Sequence, residues 1–176
     1  MHLKTQGRLA ALLGLVVIFA GTQSSINSIE KEQSLFGIES PIDRPVPVPP
    51  EILRLLDSDV RVVKCLGIKG IRQAPGTWYT TSEIHLNDRK QADFVVLPKE
   101  ACLFGANIGP IWVFGRTEKS FEILLKTDAL GIEILKSKTN GFRDIKGVQA
   151  TAIKTVEATF KYDGHRYVSV QPENVH

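Results

Sequence analysis

Two short stretches carry side-chain oxygens at spacings that suggest a cation site. In IHLNDRKQADFVVL, residues 84–97, a polar turn rich in Asn and Asp leads to an acid and then a run of β-formers. That is the outline of a calcium loop feeding a strand, with Asn87 and Asp93 as the oxygen donors. The stretch NGFRDI offers Asn140 and Asp144. Calcium takes about six to eight oxygen ligands. Here Arg89, Lys90 and Arg143 set cations among the donors, which opposes a dication. Asn87, Asp93, Asn140 and Asp144 therefore read as a remnant, holding no metal and acting through hydrogen bonds to nearby amides. No cofactor is expected.

The other reactive side chains give no catalytic set. Cys65 and Cys102 are the two cysteines. In an oxidising compartment they read as one disulfide; the competing reading is two buried thiols packing as small hydrophobes. A nucleophilic Cys102 would need a base and a lowered pKa, and sequence cannot place His85 beside it. His2, His85, His165 and His176 lack Cys or His partners at ligand spacing. CLFGANIGP lacks the Lys-Ser/Thr ending of a phosphate loop, and no Gly-x-Ser-x-Gly elbow occurs. Glu83, Asp93, Glu122, Glu133 and Asp144 are spread along strands with no pair marked for acid–base work. Trp78, Tyr79, Trp112, Phe142 and Tyr162, with Phe114, either line a carbohydrate or peptide surface or form the core of a sheet.

The elements that position these residues follow from pattern. PPEILRLLDSDVRVVKCL predicts one helix: Pro50 suits the first turn, Glu51 the N-terminal dipole, and Ile52, Leu55, Leu56, Val60 and Val63 make one apolar stripe. Gly67 and Gly70 punctuate its end. From Thr77 onward the texture is β. TWYTTSEIHL, DFVVLP, GPIWVFGRT, SFEILLKT and LGIEILKSKT read as strands, with a hairpin between the third and fourth. Asp163-Gly164 reads as a tight type I′ turn between VEATFKY and HRYVSV.

The N-terminus carries Lys4 and Arg8, then LAALLGLVVIFAG, then a polar stretch. This is the layout of a secretory signal over residues 1–24, with an uncleaved signal anchor as the alternative; the apolar run falls short of the roughly 20 residues of a membrane span. Residues 25–50 read as a linker, polar and then proline-rich, and 51–172 as a single globular domain. Without Lys4 and Arg8 the balance is 20 basic against 19 acidic residues. That overall balance gives no electrostatic case for nucleic acid or an anionic membrane, and the expected membrane contact is the N-terminal segment if it is uncleaved.

A faint repeat links LNDRKQADFVV…IWVFGRTEKSFEILL to KTNGFRDIKGV…ATFKYDGHRYVSV; Asp93 and Asp144 are 51 positions apart, Trp112 and Phe160 48, Phe121 and Tyr167 46. A period near 50 is of β-propeller blade size. On these stretches the chain resembles a degenerate member of the FG-GAP/VCBS repeat group, whose loops read D-x-N-x-D-G-x-x-D before a strand, and KTNGFRDI and YDGHRYV resemble strand endings of exported bacterial proteins carrying such loops. The resemblance covers residues 77–170 and implies a blade-like all-β arrangement with a binding or scaffolding role. His85 stands where the first loop acid belongs, Arg89 where the next does and Lys90 where the glycine does, while Asn87 and Asp93 match.

The expectation is an α+β, mainly β protein: one N-terminal amphipathic helix on a mostly antiparallel sheet of two blade-like meanders. It is expected in the periplasm or outside the cell as a non-catalytic binding module for a protein or an envelope polymer. The alternatives are a small hydrolase using Cys102 or dispersed carboxylates, and a structural envelope protein.

Overall fold

The computed structural model describes residues 32–105, 108–150 and 155–170. The expected signal segment, residues 1–24, lies outside them. The described chain is mostly β, with two antiparallel sheets. In chain order the elements are β1 (Leu35–Gly37), α1 (Pro50–Leu56), α2 (Val60–Lys69), β2 (Tyr79–Ile84), β3 (Asp93–Pro98), β4 (Gly109–Arg116), β5 (Phe121–Ala129), β6 (Gly131–Thr139), β7 (Phe142–Ala150), β8 (Thr155–Tyr162) and β9 (Tyr167–Val170). One sheet runs β2-β3-β4-β5 and the other β1-β6-β7-β8-β9.

Two strands dictate the layering. All of β3, DFVVLP, is buried, and so is β4 up to Gly115. Successive side chains of a strand point to opposite faces, so this sheet has apolar groups on both sides. Val95, Leu97, Ile111 and Val113 join Phe36, Ile132, Ile134, Ile145 and Phe160 in a core between the sheets. Phe94, Val96, Trp112 and Phe114 belong to a second core with Ile52 and Leu56 of α1 and Val62, Cys65 and Leu66 of α2. Each large apolar side chain fully removed from water contributes roughly 1.5–3 kcal/mol. Uncovering either face of β3 and β4 would therefore forfeit several such contributions at once.

The single expected helix is two. Asp57 and Ser58 follow α1, and Asp59 caps α2 with its carboxylate, which accepts from the Arg61 amide at 2.8 Å. The break rotates the second helix relative to the expected stripe. Ile52 and Leu56 are buried, but Val60 and Val63 face solvent, and α2 buries Val62, Cys65 and Leu66 instead. Asp59 also accepts from the Trp112 indole at 3.1 Å and pairs with Lys126 of β5 at 2.6 Å. Burial raises its pKa; the Lys126 and Trp112 hydrogen bonds and the Arg61 amide outweigh that and hold it below the ordinary carboxylate range.

The stretch expected as a linker is partly built into the domain. β1 pairs with β6, Phe36 is fully buried, and the Ile134 amide donates to the Ser34 carbonyl at 2.7 Å. The close approach depends on Gly131, where a Cβ would meet the Phe36 carbonyl oxygen at 2.7 Å. Val46 and Val48 of the proline-rich run pack on the helix-side core, and the Val46 amide donates to the Thr81 carbonyl.

The turns differ from expectation in one respect. Asn140 and Gly141, both at positive φ, close β6 onto β7, with Thr139 paired to Phe142. This is the tight two-residue hairpin. Asp163-Gly164 instead sits in a longer loop, where the Asp163 carboxylate accepts from the His165 and Arg166 amides at 2.8 Å each. The strands form two four-stranded meanders, β2–β5 and β6–β9. The aromatic matches of the apparent repeat do not share a face, since Trp112 and Phe121 lie in the helix-side core and Phe160 and Tyr167 between the sheets.

Cys65 of α2 and Cys102, in a short 3-10 turn after β3, are disulfide-bonded with Cα atoms 5.5 Å apart and a sequence separation of 37. In the chain-entropy model a loop of that length is worth roughly 3–4 kcal/mol. The Cys65→Ala/Cys102→Ala variant is expected to lose about that much in urea denaturation, with β-sheet signal retained. An unchanged midpoint would show that the bond does not constrain the unfolded chain.

Candidate functional site

The residues read as calcium donors, with Phe142 and Tyr162, lie where the β2–β3 loop crosses the end of the second sheet. Asp93, the first residue of β3, is buried. Its two oxygens accept from the Leu86 amide at 3.1 Å and from the Arg116 amide at 3.0 Å, so one carboxylate ties the β2–β3 loop to the β4–β5 hairpin. Burial pushes its pKa up, against the lowering effect of those two amides and of Arg89 and His85. Both oxygens are used as backbone acceptors.

Asn87 shapes the same loop. Its side-chain oxygen accepts from the Arg89 amide at 2.8 Å and the Arg89 guanidinium at 3.0 Å. Asn87 and Asp93 thus hold backbone amides of the loops, and a cation, Arg89, occupies the Asn87 oxygen. Asn140 donates to the Tyr162 carbonyl at 2.8 Å. Asp144 is buried, and its Oδ1 has no hydrogen-bond partner among the described residues. No group of three or more His, Cys, Asp or Glu side chains there could hold a metal ion.

Arg143 fastens the two sheets together. Its amide donates to the Leu86 carbonyl at 2.6 Å, and its guanidinium to the Leu135 and Ile134 carbonyls at 2.8 and 3.0 Å and to Glu32 at 3.0 Å. Glu32 also accepts from the His85 amide at 2.7 Å, with the His85 ring at 3.2 Å. The Tyr167 hydroxyl donates to the Arg143 carbonyl at 2.6 Å. Burial, with Asp93 and Asp144 nearby, raises the pKa of that phenol.

On this frame stands a small aromatic shelf. Phe142 and Tyr162 stack with ring centroids 4.0 Å apart and planes 24° apart, and Tyr162 meets the buried Tyr167 edge-on at 5.7 Å. Arg89 lies over Phe142 at 5.4 Å. Phe142 and Tyr162 are half-buried and Arg89 is exposed. Asp88, the residue before Arg89, pairs with Lys138 at 2.7 Å. An aromatic stack edged by a guanidinium suits a sugar ring or a planar peptide group, offering apolar contact and a cation together.

The remaining candidates are elsewhere. Trp78, Tyr79 and Trp112 are buried in the helix-side core, Tyr79 edge-on to Trp112 at 6.1 Å. Their bulk goes to covering β3 and β4, so they offer no binding surface. Cys102 is bonded to Cys65 and holds no free thiol. Asp59 was not singled out in the sequence, and Arg143 only as a cation opposing a metal. A capping Asp ahead of VRVV was a readable signal for Asp59, whereas nothing local marks the long-range partners of Arg143.

Replacing Asp93 by Asn turns one acceptor into a donor facing a backbone N–H. Asp93→Asn is expected to lower stability by about 1–3 kcal/mol, measured by urea denaturation. Unaltered stability would mean that the carboxylate does not hold the loop.

Comparison with protein families, with curated proteins and with solved structures finds no match for this chain.

Proposed function

We propose that the protein is an exported, non-catalytic binding module for another protein or an envelope polymer, with Phe142, Tyr162 and Arg89 as its contact surface. The observation that carries this reading is the shelf itself: a half-buried stacked pair with an arginine over it, braced from below by Tyr167 and Arg143. A braced aromatic pair binds at low conformational cost, because the side chains are already ordered. Export is supported by the n-region and h-region pattern of the first 24 residues and by the Cys65–Cys102 disulfide, which is compatible with an oxidising compartment. Among the described residues no helix is long and apolar enough to cross a membrane. The blade-like reading of the two meanders and the FG-GAP/VCBS resemblance agree with a binding or scaffolding role and belong to this proposal.

The test is capture with a matched variant. The full-length tagged chain is expressed in its own host, crosslinked gently and recovered, in parallel with Tyr162→Ser and Arg89→Ala. One reproducible protein or glycan on the wild type, reduced about tenfold or more on the variants as for loss of a contact hot spot, is the expected result. Equal capture by the variants, or recovery of the wild-type chain alone, would overturn the assignment.

A further inference from the structure

Helix α2 has an outer face that the other described residues leave uncovered. Val60 is 63% exposed, Val63 51%, Ile68 74% and Ile71, just past the helix, 41%. Scattered apolar residues on a surface are ordinary. These are grouped: Val60, Val63 and Gly67 recur at the spacing that puts residues on one side of a helix, and Ile68 borders them. A Cβ at Gly67 would meet nothing within 4 Å, so the face is open at its middle.

The charged side chains of the segment itself have one sign. From Val60 to Arg72 the chain carries Arg61, Lys64, Lys69 and Arg72 and no acid. Two of the cations are tied inward, Arg61 to Asp128 of β5 at 2.8 Å and Lys69 to Glu100 at 2.9 Å. Lys64 and Arg72 are exposed and have no ion pair among the described residues. The near-neutral overall balance hides this local excess.

We infer that the α2 face docks on an anionic lipid bilayer. Exposed valine and isoleucine side chains beside unpaired lysine and arginine match the boundary between acyl chains and acidic headgroups, where a helix lies in the plane of the surface. Each cation near such a surface adds to the attraction, and salt screens it. An acidic protein would satisfy Lys64 and Arg72 but leave four aliphatic groups to find their own cover. A neutral apolar partner would leave the two cations without counterions. The bilayer surface answers both. This docking face is separate from the aromatic shelf and does not depend on it.

A reporter on the face tests the inference in the full chain, whatever the N-terminal segment does. Trp78 and Trp112 are buried, so an indole introduced by Ile68→Trp, or by Ile71→Trp as a second reporter, dominates the exposed emission. The probes are vesicles of phosphatidylcholine with phosphatidylglycerol, vesicles of phosphatidylcholine alone, and the same mixtures with brominated acyl chains. The expected result is a blue shift and bromine quenching on the anionic vesicles only. The signal is reversed by salt, and Lys64→Glu/Arg72→Glu in the reporter background weakens binding roughly tenfold or more. Three outcomes overturn the inference. The chain sediments with anionic vesicles while the indole stays in water; the response is equal on neutral vesicles; or the reporter is already shielded without lipid in a dimer that Val63→Asp dissolves, which would assign the face to a second copy.

Discussion

β3 and β4 have no polar face, and the rest of the molecule follows from that constraint. A strand buried on both sides cannot lie at the surface of a two-layer sandwich, so the β2–β5 sheet becomes a middle layer. The second sheet covers Val95, Leu97, Ile111 and Val113. The helical segment before β2 covers Phe94, Val96, Trp112 and Phe114. Short helices of 7 and 10 residues have little stability of their own. They stay because their apolar faces are needed there and because Asp59, Lys126 and the Cys65–Cys102 bond fasten them to the sheet.

The polar residues near the loops serve the same architecture. Asp93 and Arg143 each satisfy backbone groups of segments distant in sequence, the first within the middle sheet and the second across the two sheets. Buried backbone donors and acceptors need partners. At the ends of strands, where ladder bonds run out, a carboxylate or a guanidinium supplies several at once. That accounts for Asp93 in IHLNDRKQAD and for Arg143 in NGFRD. The two surfaces proposed for contact, the half-buried Phe142–Tyr162 stack and the open side of α2, lie outside this frame.

Much of the strand layout was legible because it is local. DFVVLP and GPIWVFGRT show their double burial as unbroken apolar runs, and the Thr117–Ser120 turn between β4 and β5 is marked by its polar residues. The helix break was legible in principle, since Asp57-Ser58-Asp59 is a stop and a cap placed inside an apolar period; the stripe drawn through it misassigned Val60 and Val63. β1 was not legible. Three residues, LFG, carry no period, and only the groove beside Gly131 makes them a strand. The I′ turn at Asn140-Gly141 and the wider loop at Asp163-Gly164 share the same dipeptide chemistry; the strand register separates them, and register is a property of the whole sheet. The aromatic residues divide by the face they occupy, which residue type alone does not reveal.

Native-state hydrogen exchange tests the layered account most directly. If β3 and β4 are held by cover on both faces, their amides exchange more slowly than any others in the chain and open only with global unfolding, while the edge strand β9 and its neighbour β8 in the second sheet open earlier through smaller fluctuations. Amides of β3 and β4 that exchange as fast as those of β8 and β9, or that open independently of the helical layer, would contradict it.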